Sequence, residues 1–181
     1  MRVVVGEGSC GIAAGAHKVY TALEKAGVTP AITGCIGMCY LEPIVDIYEG
    51  EELLTRLVHV EAKDAERIVD AVKSDDLAAI EALKIKDDDA SFLTQQTRIA
   101  LRNCGIIDPT DIKSYKARDG YKALEKVLKT MTPEEVIEEI KTSGLAGRGG
   151  AGFPTWFKWN AARGSEGEEK YLICNADEGD P

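Results

Sequence analysis

The stretch Thr33-Gly-Cys-Ile-Gly-Met-Cys39, followed by Glu42-Pro-Ile-Val45, decides how the first part of this chain folds. Residues 31–33 before it and 44–48 after it are short apolar runs rich in β-branched side chains, which are typical of strands. The stretch therefore predicts a strand, a loop that carries two cysteines, and a second strand.

The flanking sequence extends this pattern in both directions. Val3–Val5 predicts a first strand, and the helical spacing of apolar residues over 13–26 predicts a helix that Gly27 ends. Residues 57–60 predict a fourth strand, and an amphipathic helix follows through Ala65, Ile68, Val69 and Val72. The order β-α-β then β-β-α predicts a small thioredoxin-like domain of the α/β class.

The loops of this domain carry three cysteines. Cys10 follows the first strand, while Cys35 and Cys39 share the loop quoted above. Thiolates that converge from two loops at the end of a sheet are the arrangement that iron–sulfur clusters require. The segment resembles the thioredoxin-like [2Fe-2S] ferredoxins, whose pattern is C-x4-C and then C-x3-C, with the second pair in a TGCxGxC context.

The first cysteine pair of that pattern is broken. Counting back from Cys10 gives Val5, or Gly6 when the alignment is shifted to match Gly15, and neither residue can ligate iron. Two alternatives stay open: a three-cysteine metal site that takes Ser9 or solvent as its fourth ligand, or a degenerate domain kept for docking. We expect no stable four-thiolate [2Fe-2S] cluster, and two irons with two sulfides per chain after anaerobic purification would contradict this.

Bulk properties bound the class of protein. The net charge of −9 argues against nucleic acid or an anionic membrane as partner. The sequence has no run of 18 apolar residues and no signal segment, so we expect a cytoplasmic protein without membrane insertion. The charged run at Asp87–Asp89 predicts a solvated linker, which divides the chain into domains at 1–84 and 85–181.

The middle of the chain predicts three helices. The first carries Leu93 and Leu101, and the second has Asp119 as its N-cap. The third begins at Thr132-Pro-Glu-Glu135, which has the pattern of a capping box with proline at the first helical position.

A glycine-rich stretch, GRGGAGFPTWFKW, follows from Gly147 to Trp159. Its unencumbered backbone N–H groups can bind phosphate, and Arg148 and Lys158 can neutralise the phosphate charge, although a plain flexible loop would have the same composition. Residues 171–174 predict a buried strand that delivers the polar segment Asn175–Pro181 to its end, where α/β folds place ligands.

The pair GRGGAGFPT…KW and CNADEGDP resembles the flavin-binding core of the NADH-oxidising subunit of complex I, NAD(P)-linked hydrogenases and NAD-linked formate dehydrogenases. Trp156 departs from this pattern, since the family commonly has glycine there. The resemblance implies sites for FMN and for NAD(H) or NADP(H), with ligand-binding residues Gly147, Arg148, Gly149, Gly150, Ala151, Phe153, Lys158, Asn175, Asp177, Glu178 and Asp180. It thus implies a thioredoxin-like domain, a helical segment and the start of an α/β flavin-binding domain.

In that family a hydride passes between nicotinamide nucleotide and flavin, and electrons then leave singly through iron–sulfur clusters to other subunits of a multisubunit enzyme. Family members continue beyond the second motif to a region with a [4Fe-4S] cluster. We therefore expect this chain to be an N-terminal fragment or a split subunit that cannot turn over NADH alone. Two other interpretations stay open: an electron-transfer module with a cluster but no flavin, and a docking adaptor with neither.

Overall fold

The computed structural model describes residues 1–167, 169–171 and 173. They divide into two compact units, Met1–Asp119 and Gly120–Pro181. The predicted boundary at 84/85 falls inside the first unit, and the division into two functional domains there remains a prediction. Among the described residues, no helix combines the length and the apolar character needed to cross a membrane.

The first unit is built on a four-stranded mixed sheet in the order β2-β1-β3-β4. β1 runs parallel to β2 and antiparallel to β3, which is antiparallel to β4. The strands are β1 (Arg2–Gly6), β2 (Ala31–Thr33), β3 (Val45–Glu49) and β4 (Glu52–Leu57).

Five α-helices belong to this unit: α1 (Ser9–Ala14), α2 (Ala16–Lys25), α3 (Ala65–Ser74), α4 (Asp87–Thr94) and α5 (Ile112–Ala117). Short 3-10 helices lie at Cys39–Leu41, Ala62–Asp64 and Leu77–Leu83. The β-α-β then β-β-α order of the sequence analysis is confirmed, and with it the thioredoxin-like α/β fold.

One face of the sheet carries the main core. Alternate residues of β1 and β3 point to this face because side chains alternate along a strand, and they pack against the apolar stripes of α2 and α3. The largest fully buried members are Leu23, Ile47, Leu57, Ile68 and Ile80. This packing fixes the two helices over the sheet and leaves the ends of β1 and β2 to carry the cysteine loops.

The opposite face is polar at its centre. Asp46 accepts two hydrogen bonds of 2.7 Å from Arg56 on the neighbouring strand, and both side chains are largely buried. Residues 98–107 contact this face: Thr33 donates to the Ile107 carbonyl, and Tyr48 donates to the Gly105 carbonyl.

Four predicted elements are wrong in their bounds. The helix predicted over 13–26 is two helices, because Gly15 takes a left-handed conformation with φ of 105°. The fourth strand is Glu52–Leu57, since the amides of residues 58–60 donate to Leu83, Leu41 and Pro43 and not to a neighbouring strand. The helix predicted through Leu93 and Leu101 ends at Thr94.

The fourth of these elements, the predicted linker, is ordered. Lys84 forms an antiparallel bridge with Leu57, Ile85 is buried, and Asp87–Asp89 are the first turn of α4. Acidic residues in a first turn interact favourably with the helix dipole, so this charge run begins a helix.

The described part of the second unit contains three helices, α6 (Lys122–Thr130), α7 (Pro133–Thr142) and α8 (Thr155–Gly164). The capping box of α7 is confirmed, with Thr132 accepting from the Glu135 amide and Glu135 accepting from the Thr132 amide. The predicted N-cap of α6 is wrong, because Tyr121 and not Asp119 occupies that position.

Candidate metal centre and flavin-binding loop

The structure brings the three predicted cysteine ligands together. Cys10 is the second residue of α1, and Cys35 and Cys39 lie in the loop after β2. Their Sγ atoms all lie within 4.8 Å of one another, and those of Cys35 and Cys39 are 3.6 Å apart. Sequence spacing alone could place Cys10 near the pair, but only the fold shows that the three thiols face one point.

Burial of every second residue orients the loop that carries Cys35 and Cys39. Ile36 and Met38 point inward and are 8% and 2% exposed, in a small apolar cluster with Leu41 and Ile44. Arg98 holds the loop from outside by donating to the Ile36 carbonyl at 2.9 Å. Because residues 36 and 38 are anchored inside, the cysteines that flank them are left at the surface.

Two glycines allow the loops to meet. A Cβ atom at Gly8 would lie 2.8 Å from the Cys35 amide nitrogen, and one at Gly11 would lie 2.2 Å from the Gly6 carbonyl oxygen. Both distances are shorter than any real Cβ contact, so a side chain at Gly8 would push the Cys10 loop away from the Cys35 loop, and one at Gly11 would push α1 away from the end of β1.

Burial raises the pKa of the Cys10 thiol to about 12, with further contributions from hydrogen bonds to Cys35 and Cys39 and from the charge of Glu42. The Gly37 amide donates to Cys35 Sγ at 3.2 Å, as amides commonly do to cluster sulfur atoms. A bound metal cation would instead favour the thiolate form of Cys10, because metals deprotonate the thiols that ligate them.

Sequence reasoning missed the carboxylate beside this group. Glu42 is only 7% exposed; its Oε2 accepts from the Ile44 amide at 2.9 Å, and its Oε1 accepts from the Cys10 thiol at 3.8 Å. Burial raises the pKa of Glu42, and the Ile44 amide opposes this by favouring the charged form. The sequence offered one sign that Glu42 is buried, since this charged residue lies between apolar Leu41 and Pro43.

The donor set fits a thiolate-bound metal. Bonds of about 2.3 Å in tetrahedral geometry place two sulfur ligands about 3.8 Å apart. The 3.6 Å separation of Cys35 and Cys39 matches this value, and the third thiol lies within reach of both. Three thiolates that converge in this way suit zinc or iron better than hard cations such as magnesium.

The glycine-rich stretch forms a closed loop in the second unit. Ala146 pairs with Pro154, the Gly147 amide donates to the Phe153 carbonyl at 2.8 Å, and the chain then enters α8. Gly150 and Gly152 have positive φ values of 97° and 58°. The loop is therefore a defined turn with bonds at its base, whereas the sequence left a plain flexible loop open.

The space above the loop is open. A Cβ atom at Gly149, Gly150 or Gly152 would meet no atom within 4 Å. Lys158 lies in α8 with its Nζ 5.5 Å from the centre of the Phe153 ring. The described residues of the predicted flavin site, from Gly147 to Lys158, thus share one loop and the first turns of one helix.

Trp156 fits this geometry. It lies in α8, whose backbone needs no positive φ there, so tryptophan causes no strain in place of the family's glycine. The remaining predicted ligands, Asn175, Asp177, Glu178 and Asp180, lie outside the described residues. Of the strand predicted over 171–174, Tyr171 and Ile173 are described; both are irregular and more than 80% exposed, since the described part of this unit has no sheet for them to join.

The glycine-rich loop lies in a segment that matches a known domain family. Residues 140–181 match the Nuo51 FMN-binding domain. Over 87 residues the chain is 61% identical to the NADP-reducing hydrogenase subunit HndC of Solidesulfovibrio fructosivorans, covering 48% of this chain and 18% of that protein. Over 83 residues it is 49% identical to the F 2 subunit of the NADH-quinone oxidoreductase of Rhizobium meliloti, covering 46% of this chain and 20% of that protein.

Solved structures give weaker matches. A thioredoxin-like [2Fe-2S] ferredoxin from Aquifex aeolicus is 19% identical with a TM-score of 0.39, covering 47% of this chain and 89% of that one. An NAD+-reducing [NiFe]-hydrogenase is 21% identical with a TM-score of 0.35, covering 99% of this chain and 31% of that one.

The chain spans about a fifth of the length of the curated relatives it matches. The resemblance predicted from the two motifs is confirmed: by sequence, the chain is similar to subunits of NADH-quinone oxidoreductases and of an NADP-reducing hydrogenase, and its last 42 residues match an FMN-binding domain.

Proposed function

We propose that this chain forms part of a flavoprotein subunit that passes electrons between NAD(P)H, FMN and iron–sulfur clusters in a multisubunit hydrogenase, formate dehydrogenase or complex I-like enzyme. The observation that carries the proposal is the open glycine loop from Gly147 to Phe153, which leads into α8 within a segment that matches an FMN-binding domain. Relatives of the chain are subunits of such enzymes.

The loop residues would bind the phosphate end of FMN. A Cβ atom at Gly149 or Gly150 would meet no atom within 4 Å, so a phosphate can approach the backbone there, and the start of α8 adds N–H groups without intrahelical partners. Arg148 and Lys158 would neutralise the phosphate charge. In this proposal the loop holds FMN by its phosphate and leaves the ring free to meet the nucleotide.

The hydride step needs positioning and no side-chain acid or base. FMN supplies the hydride acceptor when bound. Ala151 and Phe153 would lie toward the nicotinamide nucleotide, and Phe153 is 43% exposed and so available for contact. Asn175, Asp177, Glu178 and Asp180 would bond the flavin and the nucleotide from the end of the second motif. These residues would act by orienting two rings, so substitutions should act through geometry.

The three-cysteine site would serve as a metal centre in the same electron path. Cys10, Cys35 and Cys39 supply three thiolates, and we keep the expectation that no four-thiolate [2Fe-2S] cluster forms. The finer assignments also remain proposals: the NAD(P) site, a [4Fe-4S] cluster elsewhere in the subunit, the partner subunits, a cytoplasmic location, and the absence of nucleic-acid and membrane contacts.

The flavin site can be tested by adding one methyl group to the loop. In the full chain, Gly149→Ala places a Cβ in the open space where the phosphate would approach, and Gly164→Ala adds the same group to open space at the end of α8. We expect the fluorescence of FMN to be quenched on titration with the wild-type chain, and Gly149→Ala to weaken its affinity at least about tenfold, or 1.4 kcal/mol. Equal affinities for both variants, or no FMN binding, would contradict the proposal.

A further inference from the structure

Cys35 and Cys39 form a pair of thiols within one loop. Both are free cysteines, and their Sγ atoms are 3.6 Å apart. A disulfide bond has a sulfur–sulfur distance of about 2.05 Å, so the two sulfur atoms are about 1.5 Å from bonding distance. Rotation of one cysteine side chain about χ1 moves its sulfur atom by a distance of this order. The pair can therefore close a bond without a change in the sheet or in α1.

The loop that carries the pair has room for this movement. Residues 34–38 belong to neither a helix nor a strand, and a Cβ atom at Gly34 or Gly37 would meet nothing within 4 Å. Ile36 and Met38 anchor the backbone on the inside. The apolar residues thus hold the backbone, while the space outside the loop lets the two thiol side chains change rotamer.

The two thiols differ in their access to solvent. Cys39 is exposed, whereas Cys35 is half-buried and accepts a hydrogen bond from the Gly37 amide at 3.2 Å. A dissolved oxidant therefore meets Cys39 first, and Cys35 lies beside it to resolve the product. Cys10 belongs to a different segment, α1, and its thiol donates to Glu42 at 3.8 Å. A bond within the loop leaves that contact in place.

We propose that Cys35 and Cys39 are a reversible thiol–disulfide pair, which a low-molecular-weight disulfide closes in the metal-free chain. The Cys39 thiolate attacks one sulfur atom of the oxidant, which forms a mixed disulfide and releases the first thiol of the oxidant. Cys35 Sγ then attacks Cys39 Sγ, which forms the protein disulfide and releases the second thiol. Two protein thiols are oxidised, one disulfide is reduced to two thiols, and the protons of the protein thiols pass to these products.

The disulfide controls the metal centre proposed above. It removes two of the three thiolates, and the Cys10 thiolate alone cannot replace a set of three for zinc or iron. A metal that binds first protects the pair, because coordinated sulfur atoms are not available for attack. In a reducing compartment such a pair is open, and it closes under oxidative conditions. Control of the metal rests on the three-cysteine site, whereas the bond itself needs neither a metal nor the flavin loop.

The test uses the full chain, reduced and freed of metal by a chelator, in anaerobic buffers of oxidised and reduced glutathione. Free thiols are then alkylated, and peptide mass mapping locates the disulfide. We expect the peptide that contains Cys35 and Cys39 to be unalkylated and lighter by two hydrogen atoms, and to become alkylated after dithiothreitol. Chelator competition measures the Zn²⁺ affinity of the same samples, which oxidation should weaken at least about tenfold and reduction should restore.

Three variants test which thiols pair. Cys10→Ser removes the third thiol and keeps the pair, so the bond should still form. Cys39→Ser should block it and leave Cys35 alkylated or joined to glutathione. Cys104→Ser is the matched control, since Cys104 is a free cysteine outside the group of three, and it should behave as the wild type in both assays. Circular dichroism checks that each variant is folded, and the wild-type peptide map needs no variant.

The outcomes separate the thiol pair from the metal site. No bond between Cys35 and Cys39 at any glutathione ratio overturns the proposal, as does a bond that requires Cys10 or one that dithiothreitol does not open. A bond that leaves Zn²⁺ affinity unchanged overturns the control of the metal centre and the three-cysteine site with it. A reduced wild type that binds no Zn²⁺ overturns the metal centre, and the peptide map still decides the thiol pair. FMN titration tests the flavin loop separately.

Discussion

Replacing Gly11 by alanine should destabilise the first unit, although the same change in most helices stabilises it. Gly11 lies inside α1, where alanine is favoured over glycine by about 1 kcal/mol. In this structure, however, the added Cβ would lie 2.2 Å from the Gly6 carbonyl oxygen and 3.1 Å from Glu42 Oε2. The first neighbour is backbone within a sheet, which cannot move as a flexible side chain can.

The loss of stability follows from the cost of the close contacts and the gain in helix propensity. Overpacking of a well-packed site costs about 1–3 kcal/mol or more, and a contact this short belongs at the upper end of that range. Subtracting the gain in helix propensity leaves a net loss of about 2 kcal/mol in the free energy of unfolding. Displacement of α1, which carries Cys10, should also lower metal affinity.

Urea unfolding of the metal-free chain measures the first quantity, and chelator competition measures the second. Gly34→Ala is the matched control, because a Cβ atom there would meet nothing within 4 Å and Gly34 has no positive φ. An unfolding midpoint of Gly11→Ala at or above that of the wild type would refute the argument from close approach.

Three further predictions concern single contacts. Asp46→Ala leaves the buried Arg56 charge without its two bonds and should cost about 3–5 kcal/mol by urea unfolding, whereas the double variant with Arg56→Met should recover much of this. Thr132→Ala removes half of the capping box of α7 and should lower helix stability by about 1 kcal/mol, measured by circular dichroism against an exposed Thr130→Ala control. Hydrogen bonds to the Ser114 side chain and to the Lys113 and Ser114 amides lower the pKa of Asp111. The stability that Asp111 gives to α5 is therefore present above its ordinary pKa and is lost as the pH falls through the lowered value. Asp111→Ala should remove that pH dependence from hydrogen exchange in α5.

The sequence predicted best those features that depend on local chemistry. The capping box at Thr132 and Glu135 satisfies its own backbone groups within four residues, so its pattern alone was sufficient. The strands at Val3–Val5 and 31–33 were likewise found, because each is a short run with β-branched side chains, which favour strands.

Features that depend on distant contacts were missed. The charge of residues 84–89 predicted a linker, but Lys84 pairs with Leu57 and the aspartates begin α4. Glu42 was overlooked as a neighbour of Cys10 for a related reason, since its neighbours along the chain do not show which loop its carboxylate meets. Only the approach of the Cys10 loop, made possible by glycine, places that carboxylate beside a thiol.

The two units differ in whether the apolar face of a helix is buried. In the first unit, the stripes of α2 and α3 end in buried side chains such as Leu23 and Ile68. In α6 the stripe is equally regular, yet Leu124 and Leu128 are 51% and 76% exposed. Amphipathic spacing thus predicts a helix correctly whether or not its apolar face is covered. The spacing identifies which face of the helix is apolar, but not which element packs against that face. Leu124 and Leu128 thus form an apolar surface that the described residues leave uncovered.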